Sequence, residues 1–384
     1  MTFPVVGVIG GGQLARMMAP AAEALGVRLK VLAESPDVCA TQVIPQAQVG
    51  DYRDLATLRE FAAGVDVVTF DHEHVPTEHL QALEADGVVV HPGPRALVHA
   101  QDKIVMRTAV DRLGLPNPRW APVGSEAELA EFGDEIGWPV IVKTPRGGYD
   151  GKGVRVVHSA AEAADWLESA AGSPLLAEAF VPFNRELAAM VARSPMGQAA
   201  AWPVVATKQV DGVCREAIAP APNLPDELAA RISGAALKLA GDLDVTGVMA
   251  MEVFEVADEN GKASFVINEL AMRPHNTGHW TQDGSVTSQF EQHLRAVLDL
   301  PLGETAARAD YSVMVNVLGG EYPDLYHPYL HVMAHDPGIK VHMYGKEVKP
   351  GRKVGHVTAT GTNLDDLLER ARHAADYFTG TITE

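Results

Sequence analysis

The chain has 384 residues, 47% of them hydrophobic and 21% charged, which supplies a buried core and, at this length, two or three domains. A formal net charge of -19 argues against a general nucleic-acid or anionic-membrane partner, because such proteins need a cationic surface. Two cysteines, Cys39 and Cys214, cannot build a disulfide framework or a cysteine metal cluster, so a reducing, cytoplasmic setting is expected.

Over the first hundred residues short apolar runs alternate with helical patterns. Val5–Ile9, 27–32, 65–70 and 88–90 read as buried parallel strands, being β-branched and continuous. Gln13–Leu25, 55–63 and Thr77–Ala85 read as the helices between them. This alternation predicts a parallel sheet with helices on both faces, a Rossmann-like N-terminal domain over 1–100. Pro20 sits inside the first helix, where a proline costs roughly 3 kcal/mol. The turn Gly10-Gly11-Gly12-Gln13-Leu14-Ala15 satisfies the loose dinucleotide pattern G-x-G-x-x-G/A, and Glu34 closes the second strand where a ribose-binding acid would sit. Taken alone, these residues suggest an NAD-dependent oxidoreductase. The same glycines also suit any phosphate at a helix N-terminus, or merely a tight turn.

The middle of the chain carries more chemistry. A helix over 102–113 ends at Gly114, and Leu115-Pro116-Asn117-Pro118 reads as a linker. The β runs 139–143 and Val154–Val157 flank a loop with four glycines, Arg146 and Lys152. Its backbone amides and cations suit closure over phosphates, and Lys143 ends an apolar strand, which a plain surface hairpin leaves unexplained. It is not a Walker A loop, because G-x-x-x-x-G-K-[ST] is absent.

Further on, 249–256 and 264–270 read as a hairpin around Asn260-Gly261, a type I′ signal. Centring the turn there pairs Val256 with Phe265, Phe254 with Ile267 and Glu252 with Glu269, all on one face. Two carboxylates about 5 Å apart at Cβ would repel by about 3 kcal/mol at an effective dielectric of about 20. A divalent cation between them, with oxygen ligands favouring Mg²⁺ or Mn²⁺, explains the pair. A shared proton, or strands that diverge and leave one Glu solvated, are the alternatives. A one-residue slip in register would undo the argument. Arg273-Pro274-His275-Asn276-Thr277-Gly278-His279-Trp280 follows directly, a polar cluster placed to hold anions.

A phosphate-covering glycine hairpin, two carboxylates on paired strands and a following arginine resemble the ATP-grasp enzymes. The closer resemblance is to the 5-(carboxyamino)imidazole ribonucleotide synthetase family. It rests on GGGQLAR at 10–16, GGYDGKG at 147–153, GVMAME at 247–252, NELAMRPHNTGHW at 268–280, SQFEQHLR at 288–295 and KEVKPGRKVGH at 346–356. These motifs occur in family order across nearly the whole chain.

The resemblance implies an ATP- and Mg²⁺-dependent ligase with a central ATP-grasp domain over 101–305 and a small β-rich C-terminal domain over 306–384. Lys143, Gly148, Tyr149, Asp150, Gly151, Lys152 and Gly153 would hold the ATP phosphates. Glu178 with the backbone of Ala179, Phe180 and Val181 would read adenine, and Glu186 would hold the ribose. Glu252 and Glu269 would carry magnesium, with Asn268 beside them. Asp150, Lys152 and Arg273 would act in catalysis, with Tyr149, His275 and Asn276 around bicarbonate and the aminoimidazole ribonucleotide. Lys346, Arg352 and Lys353 would take the substrate phosphate with Gly12 and Gln13, and Glu73 is a further candidate. A homodimer is also implied. The chain departs from the family pattern at His99, at Gln209 and at Met272. A formate-using glycinamide ribonucleotide transformylase shares the architecture but not the motifs at 276–280 and 346–356. A non-catalytic nucleotide sensor would not need the two carboxylates.

Overall fold

In the computed structural model β1 (Val5–Ile9) is buried along its whole length, as a central parallel strand must be. The structure describes residues 3–148, 153–210, 212–320, 322 and 324–382. Helix α1 (Gln13–Leu25) packs Leu14, Ala15, Met17 and Met18 inward, carries Pro20 on its exposed side, and ends at Gly26 in the left-handed region. β2 (Arg28–Ala33), β3 (Gln46–Val49) and β4 (Val67–Phe70) join β1 in a parallel sheet of order β3-β2-β1-β4. Helices α2 (Leu55–Ala62), α3 (Thr77–Ala85) and α4 (Pro94–Gln101) complete this unit. β3 is polar and mostly exposed, so no apolar run announces it. The strand expected at 88–90 is reduced to one bridge, Val68 to Val90. Pro92 and Pro94 follow at once and have no N–H to extend a ladder.

Asp102 caps α5 (Lys103–Arg112) by accepting from the amides of Ile104 and Val105. An antiparallel sheet of order β5-β8-β6-β7 follows, from β5 (Trp120–Val123), β6 (Val140–Lys143), β7 (Val154–Val157) and β8 (Leu175–Ala179). Helices α6 (Glu126–Ile136) and α7 (Ala164–Ser169) cover it. The loop between β6 and β7 starts and ends in glycines with positive φ, Gly147, Gly148 and Gly153. Tyr149, Asp150, Gly151 and Lys152 lie outside the described residues.

The large sheet combines β9 (Arg185–Arg193), β10 (Ala199–Ala201), β11 (Val205–Val210), β12 (Val213–Ala219), β13 (Gly247–Ala257) and β14 (Ala263–Ala271) with three C-terminal strands. Those are β15 (Tyr311–Leu318), β16 (Lys340–Met343) and β17 (Lys353–Gly361). Its order is β14-β13-β9-β11-β12-β15-β17-β16, with β10 against β9, so the C-terminal strands extend one continuous sheet. Helix α8 (Asp226–Asp242) seals one face with Leu187, Met249, Val253 and Ile267. Trp202 and Trp280 pack on the other face against Ala188, Met190 and Ala250. The short α9 (Thr281–Gly284) precedes α10 (Gln289–Val297), which joins this part to α1. After α11 (Tyr329–His335) the long α12 (Leu364–Thr379) backs β15 and β17. No helix among the described residues is long and apolar enough to cross a membrane.

The β13–β14 register holds the main correction to the sequence reading. The turn is not type I′, because only Gly261 has a positive φ. Glu259, Asn260 and Gly261 form a three-residue loop, with Asp258 N–H donating to Lys262 O at 2.8 Å. Near the turn the ladder is therefore one residue off: Phe254 faces Val266 and Val256 faces Ser264, not Ile267 and Phe265. A β-bulge between Glu252 and Val253 then leaves Asn268 without an opposite partner and restores Glu252 to Glu269. The bulge also flips the alternation. Phe265 and Ile267 point into the core under α8, whereas Glu269 and Ala271 share the other face with Glu252.

Candidate active site

Glu252 and Glu269 are register partners on the open end of the sheet, with Glu186 two positions along on β9. Burial pushes the Glu252 carboxyl up to about 8, helped by the negative charges of Glu269 and Glu186. Desolvation also raises the Glu186 carboxyl against a hydrogen bond from the Gln209 amide. Lys353 and Arg273 only partly offset the rise at Glu252, so the paired carboxylates fit an added cation. Among the described residues no third His, Cys, Asp or Glu completes a metal-holding group with this pair. Two carboxylates and an amide leave the remaining coordination to phosphate oxygens and water, the donor set that suits Mg²⁺. His275 Nε2 lies 3.7 Å from Glu252 Oε1. Burial, then Arg273 and Lys353, depresses the His275 imidazole to about 3, so it faces Glu252 as a neutral ring.

Lys143 Nζ sits 2.8 Å from Glu178 Oε2 and 3.4 Å from Asn268 Oδ1. Burial would raise the Glu178 carboxyl, but Arg107 and Lys143 outweigh it and hold it below its ordinary value. The carboxylate of Glu178 is thus committed to two cations, while Phe180 and Val181 lie in the connector between β8 and β9. Lys103 reaches the same region: its Nζ lies 3.8 Å from Glu269 Oε1 and donates to Gly147 O at the lid's base. Neither Lys103 nor Arg107 was expected here from sequence. The sequence reading put Asp102 inside the helix, whereas it caps the helix and leaves Lys103 as the first helical residue.

The N-terminal turn holds no room for a dinucleotide phosphate. Asp71 accepts from the Gly12 amide at 3.0 Å and the Ala15 amide at 2.8 Å, filling the helix N-terminus. Glu34 accepts from the Gly11 amide at 3.3 Å and contacts His72, and the His72 contact is the main reason its carboxyl is lowered. The nicotinamide reading is therefore overturned: both its anion site and its ribose acid are taken by the protein itself. Gln13 instead accepts from Lys346. Burial lowers the Lys346 ammonium, and Arg352 and Lys353 lie close enough to add to that. Glu73 spends both oxygens on the next segment, at 2.8 Å from the Met272 amide and 3.0 Å from Arg273 Nε.

The segment after β14 is fixed from behind. Gln289 Oε1 accepts from the His275 amide at 2.7 Å, and its Nε2 donates to His275 O at 2.9 Å. Asn276 and Asn316 exchange amide hydrogen bonds at 2.8 and 3.3 Å, tying the segment to β15. Asn316 was missed from sequence because nothing local marks it. His279 is fully buried and depressed well below its ordinary value, so it is a packing residue stacked on His356 at 4.9 Å. His99 lies apart, bonded to Ala96 O.

The ATP-grasp domain family matches residues 108–290, a ribonucleotide synthetase preATP-grasp domain matches 3–101, and a phosphoribosylaminoimidazole carboxylase C-terminal domain matches 312–370. N5-carboxyaminoimidazole ribonucleotide synthase from Mycobacterium bovis is 52% identical over 97% of this chain and 87% of the relative. The Synechococcus elongatus protein of that name is 42% identical over 96% and 92%. The crystal structure of the Thermus thermophilus synthetase superposes with a TM-score of 0.86 at 37% identity, covering 99% of both chains. The Aspergillus clavatus synthase in complex with ADP and 5-aminoimidazole ribonucleotide has a TM-score of 0.88 at 31% identity, covering 99% of this chain and 100% of that one. The chain belongs to the N5-carboxyaminoimidazole ribonucleotide synthase family of ATP-grasp ligases.

Proposed function

We propose that this chain carboxylates 5-aminoimidazole ribonucleotide with bicarbonate at the expense of ATP, giving N5-carboxyaminoimidazole ribonucleotide, ADP and phosphate. The observation that carries the reading is the Glu252–Glu269 pair, set beside Lys143 and facing the cations Arg273 and Lys353. A bicarbonate oxygen forms a bond to the γ-phosphorus as ADP leaves. The exocyclic amine then bonds to the carboxyl carbon, phosphate departs, and the amine loses a proton.

Lys143 and Lys103 would hold ATP phosphates, and the backbone of Ala179, Phe180 and Val181 would read adenine beside Glu186. Arg273, aimed by Glu73, would neutralise the carboxyphosphate, while His275 and Asn276 line its pocket. Lys346, Arg352 and Lys353, with Gln13, would take the ribonucleotide phosphate. Tyr149, Asp150 and Lys152 would close over the site from the lid and exclude water. Glu252, Glu269 and Asn268 would hold Mg²⁺, which supplies charge neutralisation on the transferring phosphoryl group when bound. Domain limits of 1–100, 101–305 and 306–384, a homodimer and a cytoplasmic setting complete the proposal, supported by family resemblance.

The test is ADP release with ATP, Mg²⁺ and bicarbonate, with and without 5-aminoimidazole ribonucleotide. Strong stimulation by that ribonucleotide is expected. Stimulation only by a different amine would overturn the substrate, and no ATP turnover with any amine would overturn the ligase reading.

A further inference from the structure

Arg107 is fully buried on α5, among the largest side chains with no exposure. Four hydrogen bonds hold its guanidinium: Nε to Glu178 Oε1 at 2.7 Å, NH1 to Asn117 Oδ1 at 2.9 Å and Ile267 O at 2.7 Å, and NH2 to Asn268 O at 2.8 Å. Consecutive carbonyls of a regular strand point opposite ways, so one planar fork reaches both Ile267 and Asn268 only because the strand bulges between them. β14 is an edge strand, and without Arg107 these carbonyls would lack a partner on that side. Lys143 closes a ring, since it touches Glu178 at 2.8 Å and Asn268 Oδ1 at 3.4 Å.

We propose that Arg107 is a positioning residue that sets two parts of the site at once: the bulge that brings Glu269 opposite Glu252, and the Glu178 carboxylate that aims Lys143. The proposal rests on the reading of Glu252 and Glu269 as the metal pair and Lys143 as a phosphate ligand. A lysine at this position keeps the charge but, as a single ammonium, cannot serve Glu178 and both carbonyls together. A role limited to stability would lower the melting temperature and leave the affinities of the folded enzyme unchanged.

The experiment is calorimetric binding of ADP to Arg107→Lys, once with a chelator and once with Mg²⁺, beside wild type and Glu269→Gln. In wild type Mg²⁺ should tighten ADP binding. Arg107→Lys should weaken ADP about 10-fold in chelator, through Lys143, and lose most of the Mg²⁺ tightening, roughly 10- to 100-fold, through the bulge. Its Michaelis constant for the ribonucleotide should stay within about 2-fold of wild type, because Arg107 touches none of that pocket. Wild-type ADP affinities in both conditions overturn the proposal, and a change confined to one condition overturns the claim that a single residue sets both parts. Glu269→Gln should lose the Mg²⁺ tightening alone. If it keeps that tightening, the metal-pair reading falls and the proposal with it; if only Arg107→Lys behaves as wild type, the metal pair stands and the proposal falls. Should Arg107→Lys not melt cooperatively, Glu178→Gln decides. Glu178 is linked to the bulge through Arg107 and Lys143, so loss of Mg²⁺ tightening there supports the proposal and its retention overturns it.

Discussion

Glu73 and Arg273 stand 200 positions apart in sequence and share a 3.0 Å charge-assisted hydrogen bond, with the other Glu73 oxygen on the Met272 amide. The contact is how the parallel-sheet unit reaches into the large sheet and fixes the arginine that follows β14. In Glu73→Gln one acceptor oxygen becomes an NH2 donor and the charge is lost, so only one of the two bonds can be kept and Arg273 loses its charged partner. The kcat is expected to fall by roughly 10-fold, the size of one charged hydrogen bond, with little change in melting temperature. A wild-type kcat would mean that Arg273 is aimed by something else.

The two carboxylates and the C-terminal cations should separate kinetically. Glu269→Ala is expected to cut ADP formation by about 10²-fold or more, since it removes a ligand of the cation that would neutralise the phosphoryl group. Lys353→Ala should instead raise the Michaelis constant for the ribonucleotide while that for ATP stays near wild type. Steady-state assays varying one substrate at a time check both, and equal ribonucleotide constants in Lys353→Ala and wild type would remove Lys353 from that site.

Stability should depend on pH through His293. Its Nδ1 accepts from the Val248 amide at 3.1 Å, so Nε2 carries the proton toward Thr69 Oγ1 at 2.7 Å. Burial depresses this imidazole to about 3. The unfolded chain therefore binds a proton below about pH 6.5 that the folded chain refuses. Stability is full above that pH and falls as the pH drops toward 3. One such group contributes a slope of about 1.4 kcal/mol per pH unit. His293→Asn keeps an acceptor near Nδ1 and should flatten the denaturation midpoint between pH 6 and 5 relative to wild type. Parallel profiles would rule out His293 as a source.

Gly12 is required by a close approach. A Cβ there would meet Asp71 Oδ2 at 2.1 Å, so Gly12→Ala must push the carboxylate off the start of α1. The expected loss is about 1–3 kcal/mol in chemical denaturation. No NADH fluorescence change is expected in either protein. An unchanged stability would mean that the turn shifts freely.

The Glu252–Glu269 pairing was legible in sequence for a partly mistaken reason. The residues Asn260-Gly261 pointed to a two-residue turn, yet Gly261 alone takes the left-handed conformation and the loop holds three residues. That error of one residue is cancelled by the bulge at Asn268, which no periodicity reveals. The same bulge turned Phe265 and Ile267 to the core face, where a strict alternation would have put them beside the carboxylates. The glycine turn at 10–15 misled in a different way: its spacing was read correctly as a strand-to-helix turn, but its occupant is Asp71, 59 positions away from Gly12.

Local periodicity by itself determined the β-α-β alternation of the N-terminal sheet and the lid strands, and the ordered motifs determined the family, whereas the glutamate pairing was reached only because a turn error and a bulge cancelled. These signals are short-range, because a residue's face and conformation depend on its near neighbours in the chain. Tertiary structure alone decided which partner each polar group received. Arg107 reads as one more polar position on an amphipathic helix, yet it is buried against Glu178, 71 positions on, and Ile267, 160 positions on. Asp71 likewise carries no local mark, and Glu73 was a candidate only by resemblance, until the fold spends one on a helix start and the other on Arg273. The physical reason is that a buried polar group must be satisfied by whatever the fold brings beside it, and that neighbour is not written in the adjacent residues.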